Sequence, residues 1–383
     1  MTLLTGVDRL FQQDENPLAG KRVALMTNPS GVTRGLIPTI DLFRARHGTA
    51  FTLAAIFTAE HGFTAAGKDG EAVASSTDPI SGAPIYSLYG ETYAPTPAML
   101  DHLDMIVCDI QDIGVRYYTF AWTITHILEA AGAAGIPVMI LDRPNPLGDA
   151  VDGPLLDRRF ASLVGRVPVP VQHGLTLGEL MQMFNARWNP TPAQISVIPC
   201  EGLQRDTSWE QTGLAFVPPS PGMPHLSTVR QYPGACLVEG TNLSEGRGTP
   251  LPFEIVGAPF IDENQLAERL NALAIPGVIY RSHVFQPTSS KFSGEVCRGI
   301  QAHSVSPAYR PLLAWLRVIQ TVHNLYPADF AWREASFDRL YGSDAGRACI
   351  ESGRPVAELV AAWDADSRVF REQCAPYLLY TGG

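Results

Sequence analysis

Short apolar runs rich in β-branched residues alternate with longer segments of helical period through the first half of the chain. The runs at 22–26 (RVALM), 51–57 (FTLAAIF), 105–110 (MIVCDI), 138–141 (VMIL) and 195–198 (ISVI) are almost continuously apolar. Such runs are expected of strands buried on both faces of a parallel sheet. Between them, YYTFAWTITHILEAA at 117–131 predicts a helix that stops at Gly132. TLGELMQMFNARW at 176–188 predicts another, opened by Thr176 with Glu179 three residues on, the signature of a capping box. This alternation predicts an α/β fold with a doubly wound, mostly parallel sheet. Past about residue 235 the pattern changes. A Gly/Pro-rich stretch (EGTNLSEGRGTPLPFEIVGAPF) leads to a helix near 263–273, a strand-like GVIYRSHVF and helical segments at 308–325 and 356–370. A second, smaller α+β domain is expected there, dividing the chain into 1–235 and 236–383.

Composition narrows the class. The 383 residues are 45% hydrophobic and 17% charged, with a mean hydropathy of +0.03, a globular profile rather than a disordered or collagen-like one. No window approaches the roughly 18 uninterrupted apolar residues of a membrane span, so no membrane partner is expected. The N-terminus (MTLLTGVDRL) shows no basic stretch followed by an apolar one, which makes a cytoplasmic location the expectation, or a periplasmic or secreted one if a leader has been removed. Net charge is −10 and no basic cluster stands out, which argues against nucleic acid. Only Lys21, Lys68 and Lys291 are lysines; the other basic residues are arginines, suited to planar carboxylate recognition. The six cysteines are scattered without C-x-x-C spacing, so neither a disulfide framework nor a zinc site is expected.

Four strand candidates end in polar loops: TNPSGV, TAEHGF, DIQDIGVRYY and DRPNPLG. In an open parallel sheet the loops at the carboxyl ends of strands meet in one crevice. Glu60, His61, Asp109, Gln111, Asp112, Arg116, Asp142, Arg143 and Asn145 are therefore expected to converge. Glu60 follows an apolar strand directly, and Glu71 lies eleven residues on in a glycine-bracketed loop, GKDGEAV. Two carboxyls with separated pKa values are what glycoside hydrolysis requires, one donating a proton to the leaving oxygen and the other ionised. A lone glutamate more commonly caps a helix or pairs with an arginine, and that plainer reading stands beside the catalytic one. Glu60, His61, Asp109 and Asp112 would alternatively form an oxygen-rich metal site. A second cluster, EGTNLSEGRGT, collects Glu239, Asn242, Glu245 and Arg247. Asn suits an acetamido group and Arg a carboxylate. Tyr117 belongs to a set of aromatics fit to stack on a sugar. G-x-S-x-G, Walker and H-E-x-x-H motifs are missing, and TNPSGV stands where a dinucleotide fingerprint would.

These motifs also carry a resemblance. TNPSGV, FTAEHGF, GKDGEAV, DIQDIGVRYYTF, LDRPNPLG, the long SPGMPHLSTVRQYPGACLVEGTNLSEGRGTPLPFEIVGAPF block and the late FQPTSSKFSGEVCRGIQAH run resemble the NamZ-type exo-β-N-acetylmuramidases, formerly a domain-of-unknown-function family (DUF1343), over nearly the whole chain. The resemblance implies an exo-acting glycosidase that removes N-acetylmuramic acid from the non-reducing ends of peptidoglycan fragments, without a cofactor. It implies a Rossmann-like domain plus an auxiliary domain. Carried over by position, it puts a glutamate pair on Glu60 and Glu71, with Glu239 a rival for the second place. The other classes left open are a non-catalytic muropeptide-binding protein and a metal-dependent hydrolase.

Overall fold

The computed structural model describes residues 2–13, 15–64 and 76–382. The first half builds a sheet from β1 (Arg22–Thr27), β2 (Thr52–Thr58), β3 (Ser76–Thr77), β4 (Pro84–Ser87), β5 (Met105–Asp109), β6 (Val138–Leu141) and, after a separate two-strand pair β7 (Val151–Asp152) and β8 (Gln172–His173), β9 (Ile195–Ile198). Their spatial order is β3-β4-β2-β1-β5-β6-β9, parallel throughout except for β3 on β4. The chain starts in the middle, winds outward one way and then the other, so the switch point lies between β1 and β5.

Burial on both faces follows from the period of two along each strand. Val23 and Leu25 of β1 pack with Val7, Leu10, Ile40 and Phe43 of α1 (Gly6–Leu10) and α2 (Thr39–Arg44). Ala24 and Met26 face the other layer. There, after the short α3 (Pro97–Leu100), α4 (Thr119–Ala134) and α5 (Leu177–Arg187) bring Phe120, Ile124, Leu128, Leu180 and Phe184. The expected stop of α4 at Gly132 is wrong. The helix runs to Ala134 and ends on left-handed Gly135. Gly132 instead allows a close crossing, because a Cβ there would sit 1.8 Å from the Thr191 carbonyl oxygen. The capping box of Thr176 and Glu179 forms as read from the sequence.

After α6 (Trp209–Thr212), the chain enters α7 (Leu226–Ala235), continues in a 3₁₀ turn over Cys236–Gly240 and builds a three-stranded antiparallel sheet, β10 (Ile255–Ala258), β12 (Cys297–Ser304) and β11 (Val278–Phe285) in that order. Helices α8 (Glu263–Ala272) and α9 (Pro311–Leu325) bury Leu266, Leu270, Trp315 and Ile319 with Tyr280 and Ile300 of that sheet. Three further helices, α10 (Glu334–Tyr341), α11 (Ala345–Glu351) and α12 (Ala357–Cys374), complete the chain. The C-terminal segment then returns to the large sheet, where Tyr380 donates its hydroxyl to Asp142 at 2.6 Å. One apolar cluster runs from Ala24 and Phe57 to Trp315 and Trp363, so the two parts share a core. Among the described residues, no helix is long and apolar enough to cross a membrane.

Candidate active site

A cleft of about 790 Å³ opens between the tip of β2, the start of α4 and the segments around 220, 236–253, 289–291 and 333–340. Glu60 stands at its edge. The residues after it, His61 and Gly62, both take left-handed backbone angles, φ 70° and 74°. A non-glycine residue pays roughly 1–2 kcal/mol for that conformation, so packing must hold the turn; His61 is buried. The turn leaves the Glu60 carboxylate against the first residue of α4, where the Thr119 hydroxyl donates to Oε2 at 2.8 Å.

Glu239 lies across the same cleft in a different setting. Its Oε1 accepts from Arg247 Nε and Nη2 at 3.0 and 2.9 Å, while the Cys236 thiol approaches Oε2 at 3.8 Å. Arg247 also comes within 3.6 Å of Glu245, and Lys291 binds Glu245 at 2.9 Å. Desolvation raises the Glu239 pKa and Glu245 adds to the rise, with Arg247 pulling the other way. Tyr117, Tyr232 and Phe253 form the wall between, their rings edge to face at 5.5 and 4.8 Å. The Tyr117 hydroxyl is engaged by the Pro233 carbonyl, so Tyr117 offers the cleft a ring rather than a polar group.

The other residues expected in the crevice do not reach it. Asp109 is fully buried and holds Arg143 bidentately at 2.6 and 2.8 Å, with Thr39 as a further donor. Arg143 also donates to the Val32 carbonyl at 2.7 Å. Gln111 Nε2 donates to the carbonyls of Asp112 and Pro144. Asn145 is closed by Leu147 N–H and the Leu175 carbonyl, and Asn242 by Ala331 N–H and the Asp329 carbonyl. Arg116 has no exposure; its guanidinium donates to the carbonyls of Pro154, Val169, Leu340 and Tyr341 at 2.7–3.1 Å. Burial lowers its pKa to about 10. It ties two stretches of chain together and binds no carboxylate among the described residues. Gly342 makes room for it: a Cβ there would lie 2.5 Å from Nη2.

Asp112 and His173 form a buried pair, Oδ2 to Nε2 at 3.7 Å. Burial pushes the Asp112 carboxyl up to about 7 and, with help from Arg205, the His173 imidazole down to about 3. Asp112 Oδ2 accepts from Gly114 N–H at 2.7 Å, and Oδ1 is buried without a partner among the described residues. Since Asp109 is committed to Arg143, Glu60, His61, Asp109 and Asp112 do not assemble as one ligand set. Among the described residues no group of three His, Cys, Asp or Glu side chains stands ready for a metal ion. Glu71 lies outside the described residues. The sequence reading missed Thr119, Tyr232, Lys291 and Arg333, all lining the cleft. Lys291, one of only three lysines, carried the one available signal.

The exo-beta-N-acetylmuramidase NamZ family matches this chain at residues 23–227 with its N-terminal part and 230–380 with its C-terminal part. The peptidoglycan beta-N-acetylmuramidase NamZ of Bacillus subtilis is 41% identical over 379 residues, covering 98% of this chain and 91% of that protein. Two crystal structures of DUF1343 family proteins from Bacteroides fragilis superpose on nearly all of it. One has a TM-score of 0.91 at 34% identity, covering 99% of both chains. The other has a TM-score of 0.79 at 31% identity, covering 100% of both.

Proposed function

The chain belongs to the exo-beta-N-acetylmuramidase NamZ family, and from that premise we propose that it hydrolyses the β-glycosidic bond of a non-reducing terminal N-acetylmuramic acid in peptidoglycan fragments. In this reading residues 1–235 supply Glu60, Tyr117, Thr119 and the segment around 220 to the cleft, and residues 236–383 supply Glu239, Arg247, Lys291 and Arg333. The observation that carries it is one cleft lined, among the described residues, by Glu60, Glu239 and Glu245, in which Glu60 and Glu239 have unlike surroundings. Glu60 sits on a hydroxyl at a helix start, and Glu239 is hemmed in by protein beside a second acid. Unequal environments separate acid from base.

Glu239, enclosed by Tyr232, Cys236 and Arg247 beside the second acid Glu245 and with its carboxyl raised by burial, is the proton donor of the pair in this reading. Glu239 gives its proton to the departing glycosidic oxygen as the C1–O bond breaks. Glu60 faces the anomeric carbon as the carboxylate partner of the oxocarbenium-like transition state. Water supplies the new C1 hydroxyl, and its remaining proton restores the acid.

The test compares a disaccharide with an aryl muramide, whose leaving group scarcely needs protonation. Glu239→Gln should lose on the order of 10²–10⁴ in kcat on the disaccharide and far less on the aryl substrate. Glu60→Gln should lose heavily on both. A leaving-group-selective loss in Glu60→Gln or Glu71→Gln instead moves the acid to that residue. A wild-type protein that cleaves neither substrate overturns the proposal.

A further inference from the structure

Muramic acid differs from glucosamine by an ether-linked lactyl group whose carboxylate is ionised at neutral pH. A chain of net charge −10 needs a local cation to receive it, and among the described residues three arginine and lysine side chains line the cleft: Arg247, Lys291 and Arg333. Two are already committed. Arg247 is clasped by Glu239, faces Glu245 and lies 4.8 Å over the Phe253 ring. Lys291 has three ammonium protons and three acceptors, Glu245 Oε2 at 2.9 Å and the carbonyls of Leu243 and Val238 at 2.7 and 3.2 Å.

Arg333 differs. Its backbone is pinned, the N–H on the Gly240 carbonyl at 2.8 Å and its own carbonyl accepting from Ser336 and Phe337 N–H at 2.9 Å each. Its guanidinium makes no hydrogen bond or ion pair among the described residues, and it is exposed at the rim of the cleft. Ser336, one turn on in α10, lines the same wall. A fixed backbone with an uncommitted planar fork suits bidentate carboxylate recognition.

We infer that Arg333 is the specificity residue that receives the lactyl carboxylate, with Ser336 as a second donor. The inference rests on the muramidase reading above and assigns the recognition to a residue other than Arg116, Arg143 and Arg247, the arginines named by the sequence.

The experiment measures kcat/KM for an aryl β-muramide and for the same compound with its lactyl carboxylate converted to a neutral amide. The wild-type protein should prefer the free acid. Arg333→Gln should reduce that preference about 10- to 100-fold, mainly through KM, and Arg333→Lys should restore part of it as a point charge. An unchanged free-acid to amide ratio in Arg333→Gln, or a wild-type protein indifferent to the amide, overturns the inference. Failure to cleave either compound overturns the muramidase reading itself, so the two failures are distinct. Arg333 is exposed, and thermal unfolding of both variants confirms that the ratios come from folded protein.

Discussion

Two regions at the carboxyl edge of the large sheet use similar residues in opposite ways. At the tips of β1 and β5, the switch point where an open α/β sheet ordinarily binds its ligand, the polar groups close on one another. Asp109 takes Arg143 and Thr39, Asn28 donates to the Pro219 carbonyl at 3.1 Å, and Gln111 N–H reaches Ser30 at 3.0 Å. Trp209, Leu214 and Val217 line the small void left beside them, about 20 Å³. One strand away, at the tip of β2, the chain turns sharply and the edge stays open, because its second wall comes from residues after 220. A crevice expected from topology has thus been filled, and the large cleft lies instead at the seam with the second sheet. Polar residues at strand tips are not one class: those at β1 and β5 are sealed into structure, and those at β2 line the cleft.

The comparison breaks most sharply at the sealed edge. Arg143→Met strands the Asp109 carboxylate without its cation, and should cost about 3–5 kcal/mol of folding stability in a denaturant titration. The double variant with Asp109→Asn should recover much of that loss. An Arg143→Met protein of wild-type stability with impaired catalysis would make Arg143 a site residue after all.

Arg116→Met removes donors from four buried carbonyls and should cost about 1–3 kcal/mol for the groups left unsatisfied. The free-acid to amide ratio defined above should not move, whereas a fall in that ratio would return lactyl recognition to Arg116.

A pH-dependent effect sharpens the picture of the buried pair. Because the folded Asp112 pKa is raised to about 7, the folded protein holds a proton that the unfolded chain has lost above its ordinary carboxylate pKa. The stability this residue contributes therefore falls as pH rises from about 4 to 7 and is level beyond. His173, lowered to about 3, works in the opposite sense: its contribution is lost as pH falls from about 6.5 towards 3. Asp112→Asn should gain relative to wild type with rising pH between 4 and 7, and His173→Gln should gain with falling pH below 6.5. Parallel stability curves for variant and wild type would show that neither group is held neutral by the fold.

Much of this was legible in the chain, for identifiable reasons. The strands over residues 22–27, 105–109 and 138–141 could be read because burial on both faces leaves a continuous apolar run, whereas β9 at the sheet edge was read from its apolar residues although Ser196 is exposed. Helix α5 could be read because its capping box is local. The helix α7 was not read, since Pro233 lies inside it and breaks the pattern that marks a helix. The position of Glu60 on the cleft could be read because a charged residue just after a buried strand has few places to go but the edge.

The sequence by itself therefore determined the layered α/β first half and the family likeness, and it put its weight on Glu60 and Glu71 at the carboxyl edge, with Glu239 as a rival. Only the tertiary structure decided which arginines line the cleft and which of them is left uncommitted. Arg116 meets carbonyls 224 and 225 residues away, Arg143 meets Asp109 34 residues away, and Arg333 meets no side-chain partner among the described residues. Whether a charge is neutralised, buried or left facing solvent depends on the groups that packing brings beside it. Those groups come from distant stretches of chain, and no local pattern of residues encodes them.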